Sequence, residues 1–518
     1  MEAEKKIVSS GNAKHCVLDP CPTSIIKDVL DVLLPTITDI INKSIVTNTF
    51  PSKLKEAVIT PLLKGPSLDS EQLPSYRPVS GLPYLGKITE KAAVLQLGNH
   101  MEKNDLNNPV QSAYRTGHSN ETALVKIMND LLLAVDNKKC VLLVMLDLSA
   151  AFDTVEHSIL FDRLENMFGV TDSAKLWLKS YFSQRKQCVN INGTFSDPKP
   201  LNVGMPQGSV LGPFCFPPYT SPLYSISKEN NCEVHMYADD TQLYISFNQL
   251  DGKKAMETLE ECIKKIRAWM KTNCLKLNDS KTEFLIINQK GCKSVFNESI
   301  TIGDNKIAPS TSAKNIGAMI DNYLSMESQV KEICRKCYLS LYQISQIRSY
   351  ITDDAACTLV NALVTSKLDN LNSLLYGLPD CKIQQLQYIQ NNAARLIAKC
   401  KKYENITPIL KKLHWLPVSF RIQYKILLLC FKSLNSLGPK YLAELLLPYV
   451  PEKDLRSSDE KLLIEPKTRL KTYGDRAFST CAPRLWNKLP KALRLCTKIE
   501  TFKKQLKTHL FKQAFDHC

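Results

Sequence analysis

Apolar and polar positions repeat with different periods along the chain, and the changes of period outline its organisation. The first twenty residues are polar and predict little order. From "CPTSIIKDVLDVLLPTITDIINKSI" apolar residues recur at helical spacing, with Pro35 expected to mark a break or a helix start. "AVITPLLKGPS" predicts a strand ending at Lys64 and a Gly-Pro turn, and "SYRPVSGLPYLGKITEKAAVLQLGNHM" a loop followed by a helix. "VLLVMLDLSAAFD" predicts a buried strand, "EHSILFDRLENMF" a helix, and "SITIGDNKIA" a small hairpin with an Asp-Asn turn. Beyond about residue 320 the spacing is helical, as in "QVKEICRKCYLSLYQISQIRSY", "QQLQYIQNNAARLIAKCKKY" and "RIQYKILLLCFKSLNSL". The last helix, "ETFKKQLKTHLFKQAF", places Phe502, Leu506 and Leu510 on one face. A mixed body of strands and helices is therefore expected to precede a helical, basic C-terminal third.

One stretch, "VHMYADDTQLYISF" at 234–247, predicts two short strands joined by a turn. Asp is a common turn residue, but a turn does not need two adjacent like charges such as Asp239 and Asp240. A bound divalent cation would remove the repulsion, because carboxylates are preferred Mg²⁺ ligands. Asp147 stands directly after the apolar run "VLLVML", where a carboxylate can project from the end of a sheet. Two such carboxylates on adjacent strands could share two divalent ions ~4 Å apart and serve an in-line phosphoryl displacement. Alone, Asp147 reads first as a helix cap or a surface charge. In "NVGMPQGSVLGP", Gly204 and Gly208 flank a Pro-Gln pair and would let backbone approach a ligand closely; a plain Gly-Pro loop is the alternative.

Composition narrows the partners. The 518 residues are 44% hydrophobic and 23% charged, which suits a globular chain with ample core. A net charge of +16, spread along the chain, points to an anionic partner, nucleic acid before a membrane surface. The start "MEAEKKIVSS" lacks a signal-peptide core, and apolar runs such as "VLLVML" and "ILLLC" are too short to span a bilayer. An intracellular protein, nuclear or cytoplasmic, with no membrane partner is expected. The 18 cysteines are then expected as reduced thiols, and Cys334 and Cys337, at zinc-like spacing, as residues of a helix rather than metal ligands.

Taken in order, Asp147-(x)₄-Phe152, "GMPQG", "YADD" and "LKLNDSKTEFLI" resemble the palm motifs of a reverse transcriptase. Upstream, "SYRPVSGLPYLGKITEK" and "NPVQSAYRTGHSNETAL" resemble the fingers motifs of LINE-type (non-long-terminal-repeat) retrotransposon enzymes. Downstream, "LHWLPVSFRIQYKILLLCFKSL" and "APRLWNKLP" resemble the C-terminal region of the Jockey, CR1 and L2 branches. The resemblance covers about residues 19–515 and implies an α+β right-hand polymerase fold with fingers, a palm built on an antiparallel sheet, a helical thumb and a helical C-terminal region. Along the chain it implies an N-terminal extension at 1–45, fingers and palm at 46–320, thumb at 321–445 and a basic C-terminal region at 446–518.

The activity implied is RNA-directed DNA polymerisation, with an RNA template, a DNA primer and deoxynucleotides as partners. Asp147, Asp239 and Asp240 would hold two Mg²⁺ ions, with Mn²⁺ as a substitute. Phe152 would be the aromatic gate that excludes a 2′-hydroxyl, and Gln207 and Gly208 would contact nucleotide and template. Lys64 and Arg77 would clamp the triphosphate, and Lys281 would donate a proton to leaving pyrophosphate. Full-length members of the family carry an endonuclease domain ahead of the polymerase, so nicking is not expected of this chain. One departure stands out: "FCFPPYTSPL" follows the Gln-Gly motif, and Pro217 and Pro218 are expected to disrupt an apolar helix by ~3 kcal/mol or more. A decayed or domesticated copy that only binds nucleic acid is therefore the alternative. An RNA-directed RNA polymerase is a second one, opposed by Ala238 before the paired aspartates and by Phe152.

Overall fold

The computed structural model describes residues 16–149, 151–291, 296–450 and 460–515, so the expectation for residues 1–15 lies outside the described residues. In chain order its strands begin with β1 (Glu56–Leu63), β2 (Tyr76–Gly81), β3 (Cys140–Leu146), β4 (Leu148–Ser149) and β5 (Lys186–Ile191). They continue with β6 (Thr194–Phe195), β7 (Lys199–Pro200), β8 (Glu233–Tyr237), β9 (Asp240–Phe247), β10 (Lys276–Leu277) and β11 (Glu283–Ile287). The chain divides into two interleaved compact units. The first holds residues 1–114, 147–227 and 264–278, and the second 115–146, 228–263 and 279–518.

The first unit opens with helices Thr23–Asp28 and Leu30–Val46. The break falls at Val29, and Pro35 lies inside the second helix, contrary to expectation. The carbonyl that loses its helical donor to Pro35 is that of Asp31, an exposed residue whose oxygen water can satisfy. Leu30, Leu34 and Ile37 of this helix pack on Tyr84 and Ile88 of helix Tyr84–Lys103. A five-stranded sheet runs β2-β1-β5-β6, with β7 also on β5; only β1 and β5 are parallel. Strand β2 occupies part of the stretch expected to be a loop. It pairs with β1 so that Pro61 faces Pro78, a match that needs no N–H from either residue and suits a non-hydrogen-bonded site of an antiparallel ladder.

Helix Leu211–Thr220 corrects a second expectation, because it runs through both Pro217 and Pro218. The carbonyls of Pro213 and Phe214 lose their helical donors, but burial and side-chain bonds hold the segment together. Cys215, Phe216, Pro218 and Tyr219 are buried. The Arg163 guanidinium donates to the Tyr219 carbonyl and, at 2.6 Å, to Asn273 Oδ1, and it lies 5.1 Å from the Tyr219 ring and 5.2 Å from the Trp269 ring. Tyr219 Oη donates to the Asn273 carbonyl at 2.7 Å. Tertiary packing thus outweighs helix propensity here.

The second unit is built on a fully antiparallel sheet, β11-β3-β9-β8. Every residue of β3 is buried, as its unbroken apolar run requires. Helix Asn120–Asp136 starts with a capping box between Ser119 and Thr122, and its Leu124, Ile127 and Leu131 join a core that also takes in the C-terminal helices. Those helices include Glu327–Ile347, Asp380–Ala398, Val418–Leu434 and Ile499–Phe515, the last with Phe502, Leu506 and Leu510 buried as expected. The hairpin Ile300–Ile302 with Asn305–Ile307 turns on Gly303-Asp304, one residue earlier than the expected Asp-Asn. Gly303, at φ 63°, supplies the left-handed backbone that the turn demands. Cys334 and Cys337 lie on helix Glu327–Ile347; burial raises both thiols, Cys337 to about 11, and so opposes the thiolate form that zinc needs.

Candidate active site

In the second unit, β8 and β9 close through Tyr237 paired with Asp240, leaving Ala238 and Asp239 as a two-residue loop. Such loops require positive φ at the first central residue, a position glycine fills most easily. Here it is Ala238, buried and at φ 58°, a backbone that costs an L-residue ~1–2 kcal/mol. Asp239 and Asp240 are half-buried at the tip of an apolar sheet in which Thr241, Gln242 and Leu243 are buried. Thr241 pairs with Leu146, the last residue of β3. Lys281, exposed, ends a short turn, Asp279–Lys281, directly ahead of β11.

In the first unit, Asp147 follows β3 by one peptide bond and is half-buried. Its carbonyl accepts from Asn278 N at 2.9 Å and its Oδ2 from Asn278 Nδ2 at 3.3 Å. The pairing of β4 with β10 continues from that point, Leu148 with Leu277 and Ser149 with Lys276. Phe152 stacks on Phe216, with centroids 4.8 Å apart and planes at 22°.

The glycine-flanked loop is stitched to this segment. Gly204 N donates to the Val155 carbonyl and Met205 N to the Phe152 carbonyl, each at 2.8 Å. Gln207 Nε2 donates to both carboxylate oxygens of Asp153 at 2.9 Å, and the Gln207 carbonyl accepts from Ser80 N of β2 at 2.8 Å. Both glycines are obligatory. A Cβ on Gly204, at φ 83°, would stand 2.6 Å from the Asp153 carbonyl oxygen, and one on Gly208, at φ 129°, 2.7 Å from that of Ser80. Asp153 keeps contact with solvent, yet the protein atoms around it displace enough hydration to raise its carboxyl, against the Gln207 bond and the Lys64 charge.

Lys64 is exposed just past β1; its N donates to the Ser75 carbonyl at 2.9 Å and its Nζ to that of Pro74 at 2.7 Å. Arg77, exposed on β2, pairs with Leu62, two residues before Lys64. The first unit therefore gathers Phe152, Gln207 and Gly208 around Asp153, within reach of the Lys64 charge, while Asp239, Asp240 and Lys281 belong to the second. Asp153, Ser80 and Asn278 were not foreseen. All three lie inside the sequence motifs, but only spatial neighbourhood reveals their bonds. Among the described residues, no group of three or more His, Cys, Asp or Glu side chains is gathered so as to hold a metal ion.

Residues 64–320 match the family described as reverse transcriptase (RNA-dependent DNA polymerase). The chain is 28% identical over 376 residues to a probable RNA-directed DNA polymerase from transposon BS of Drosophila melanogaster, covering 70% of this chain and 40% of that protein. It is 24% identical over 419 residues to the probable polymerase from transposon X-element of the same organism, covering 79% and 45%. With the RNA-directed DNA polymerase from mobile element jockey, also of that organism, it shares 27% over 311 residues, covering 58% and 33%. The chain thus spans less than half the length of these curated relatives.

Proposed function

Through residues 64–320 the chain belongs to the reverse transcriptase family, of the LINE type and the α+β right-hand polymerase class, and on that premise we propose that it is an RNA-directed DNA polymerase that extends a primer 3′-hydroxyl with deoxynucleotides on an RNA template. The observation that carries this reading is the β8–β9 turn, a strained Ala238 followed by two adjacent half-buried carboxylates at the tip of an apolar sheet. Strain and like-charge repulsion at one tip are paid for by function when the tip is a cation site.

The carboxylates suit Mg²⁺, a hard cation that proteins hold through one or two carboxylates completed by substrate phosphates, so a three-ligand protein cage is not required. Asp147, Asp239 and Asp240 would hold it, with Mn²⁺ able to substitute. The bound ions would supply charge neutralisation at the attacking and leaving oxygens. The chain's own residues would do the rest. Phe152, braced by Phe216, would exclude a ribose 2′-hydroxyl. Gln207, with its amide fixed by Asp153, and Gly208 would orient the nucleotide against the template. Arg77 would grip the triphosphate bidentately and Lys64 as a point charge. Lys281 would hold a proton at Nζ for the leaving group. Rate enhancement would come chiefly from positioning and charge.

Within this proposal residues 46–320 serve as fingers and palm, 321–445 as thumb and 446–518 as a basic grip on duplex phosphates, with affinity that falls steeply with salt. Among the described residues no helix is long and apolar enough to cross a membrane. The test is extension of oligo(dT) on poly(rA) with dTTP and Mg²⁺, beside Asp239→Asn. Extension by the wild type alone, with duplex binding equal in both proteins, is expected. A folded wild type that binds the duplex without extending it would overturn the proposal in favour of a decayed polymerase.

A further inference from the structure

Glu90 lies in helix Tyr84–Lys103 and is 1% exposed, a position where a carboxylate is costly unless bonded. Its Oε2 accepts from Val210 N at 2.5 Å and Leu211 N at 3.1 Å, the first amides of helix Leu211–Thr220. The next amide, Gly212 N, is capped by Ser209 Oγ at 3.0 Å. The N-terminal donors of this helix are therefore shared between a distant carboxylate and a local hydroxyl. Burial raises the Glu90 carboxyl, and the two amide bonds and the charge of Arg185, also 1% exposed, act against that.

The anchor falls three residues after Gln207. On its other side the loop is held by Ser80 N to the Gln207 carbonyl, and within it Ser209 N donates to the Pro206 carbonyl at 3.0 Å. Gly208, at φ 129°, is the hinge between the two fixed points and brings no side chain of its own to lock it. The backbone position from which Gln207 reaches Asp153 is then set by where β2 and Glu90 hold the loop ends.

We infer that Glu90 is a positioning residue, which acts through the Val210 and Leu211 amides to fix Gln207 and Gly208 for the incoming deoxynucleotide. The inference rests on the polymerase reading above. Glu90 touches no reacting atom, so its loss should appear in nucleotide recognition rather than in the chemical step.

The experiment compares the wild-type chain with Glu90→Met and Glu90→Gln. Met keeps the volume and removes the acceptor, whereas the Gln amide oxygen can accept the same two N–H groups. In primer extension, Glu90→Met should raise KM for dTTP about tenfold with kcat changed by less than about threefold, and Glu90→Gln should stay within about threefold of wild type. A second readout needs no turnover. Hydrogen exchange across residues 203–212 should show protection by template–primer with Mg²⁺ and dTTP that Glu90→Met loses and Glu90→Gln keeps. Should Glu90→Met fail to fold, Glu90→Asp, one methylene shorter, replaces it in both measurements.

An unchanged KM in the acceptor-free variant, or an equal fall of kcat in both variants, would overturn the positioning role while leaving the polymerase reading intact. A wild type that does not extend, yet shows the exchange pattern, would sink the polymerase reading and retain the role of Glu90. A wild type with neither would sink both.

Discussion

Gly204→Ala tests the stitching of the glycine-flanked loop to the segment that carries Phe152. Two costs are expected, and a second glycine separates them. Gly193, in the exposed turn after β5, sits at φ 90°, close to the 83° of Gly204, but a Cβ there would meet nothing within 4 Å. Its replacement by Ala carries the backbone cost alone, ~1–2 kcal/mol. At Gly204 the same Cβ would stand 2.6, 2.8 and 2.9 Å from the carbonyl oxygen, carbonyl carbon and Cα of Asp153, all backbone atoms without a rotamer to escape into.

Relief means moving the two chains apart, which loosens the 2.8 Å bonds to the Val155 and Phe152 carbonyls. At ~0.5–1.5 kcal/mol per bond this adds ~1–3 kcal/mol. For a unit of 150–250 residues each kcal/mol lowers the melting temperature by ~2–4 °C. Gly204→Ala, at ~2–5 kcal/mol, should therefore melt ~4–20 °C below wild type by circular dichroism, and Gly193→Ala, at ~1–2 kcal/mol, only ~2–8 °C below. The first should also raise KM for dTTP, because Phe152 and Gln207 move with the loop. If the two variants melt together, the close approach at Gly204 is not what holds the loop.

Replacing Pro217 by Ala restores a donor for the Pro213 carbonyl, at the expense of a more flexible unfolded chain. A net gain of ~1–2 kcal/mol is expected, read as a higher melting temperature with extension retained or improved. If Arg77 grips the triphosphate as proposed, Arg77→Ala should raise KM for dTTP about tenfold with duplex affinity unchanged, and Arg77→Lys, which lacks the fork for a bidentate contact, should recover only part of the loss. His235 is fully buried, and that burial, with the charges of Lys126 and His118, lowers its pKa to about 3. Below the unfolded value of ~6.5 the unfolded chain takes up a proton that the folded chain refuses, so stability falls with pH, by ~2 kcal/mol at pH 5. Denaturant titrations at pH 7 and pH 5 should show that loss in wild type and a smaller one in His235→Gln.

The local alphabet of the chain was legible. Alternation in "VHMYADDTQLYISF" predicts β8 and β9 with the paired aspartates at their turn. The unbroken apolar run before Asp147 predicts β3 as a buried strand, and helical spacing locates the C-terminal helices. These are properties of residue period and of what each face must bury, and both are written in sequence order. Proline misled twice, at Pro35 and at Pro217-Pro218, because its cost can be met by solvent at the orphaned carbonyl or outweighed by packing and side-chain bonds elsewhere in the helix. Asp31 meets water, and the helix at 211–220 is held by Arg163 and Asn273.

By itself the sequence determined the order of the motifs and the class of fold that such an order accompanies, and it marked Asp147, Asp239 and Asp240 as the candidates for a hard-cation site. Only the tertiary structure decided that Gln207 is aimed by Asp153, that Gly204 and Gly208 must lack side chains, and that Glu90, over a hundred residues upstream, caps the helix behind them. The reason is range. A strand or helix is specified by neighbours a few residues away, whereas a hydrogen bond between residues 90 and 210 leaves no periodic trace in the chain and exists only once the core has brought its ends together.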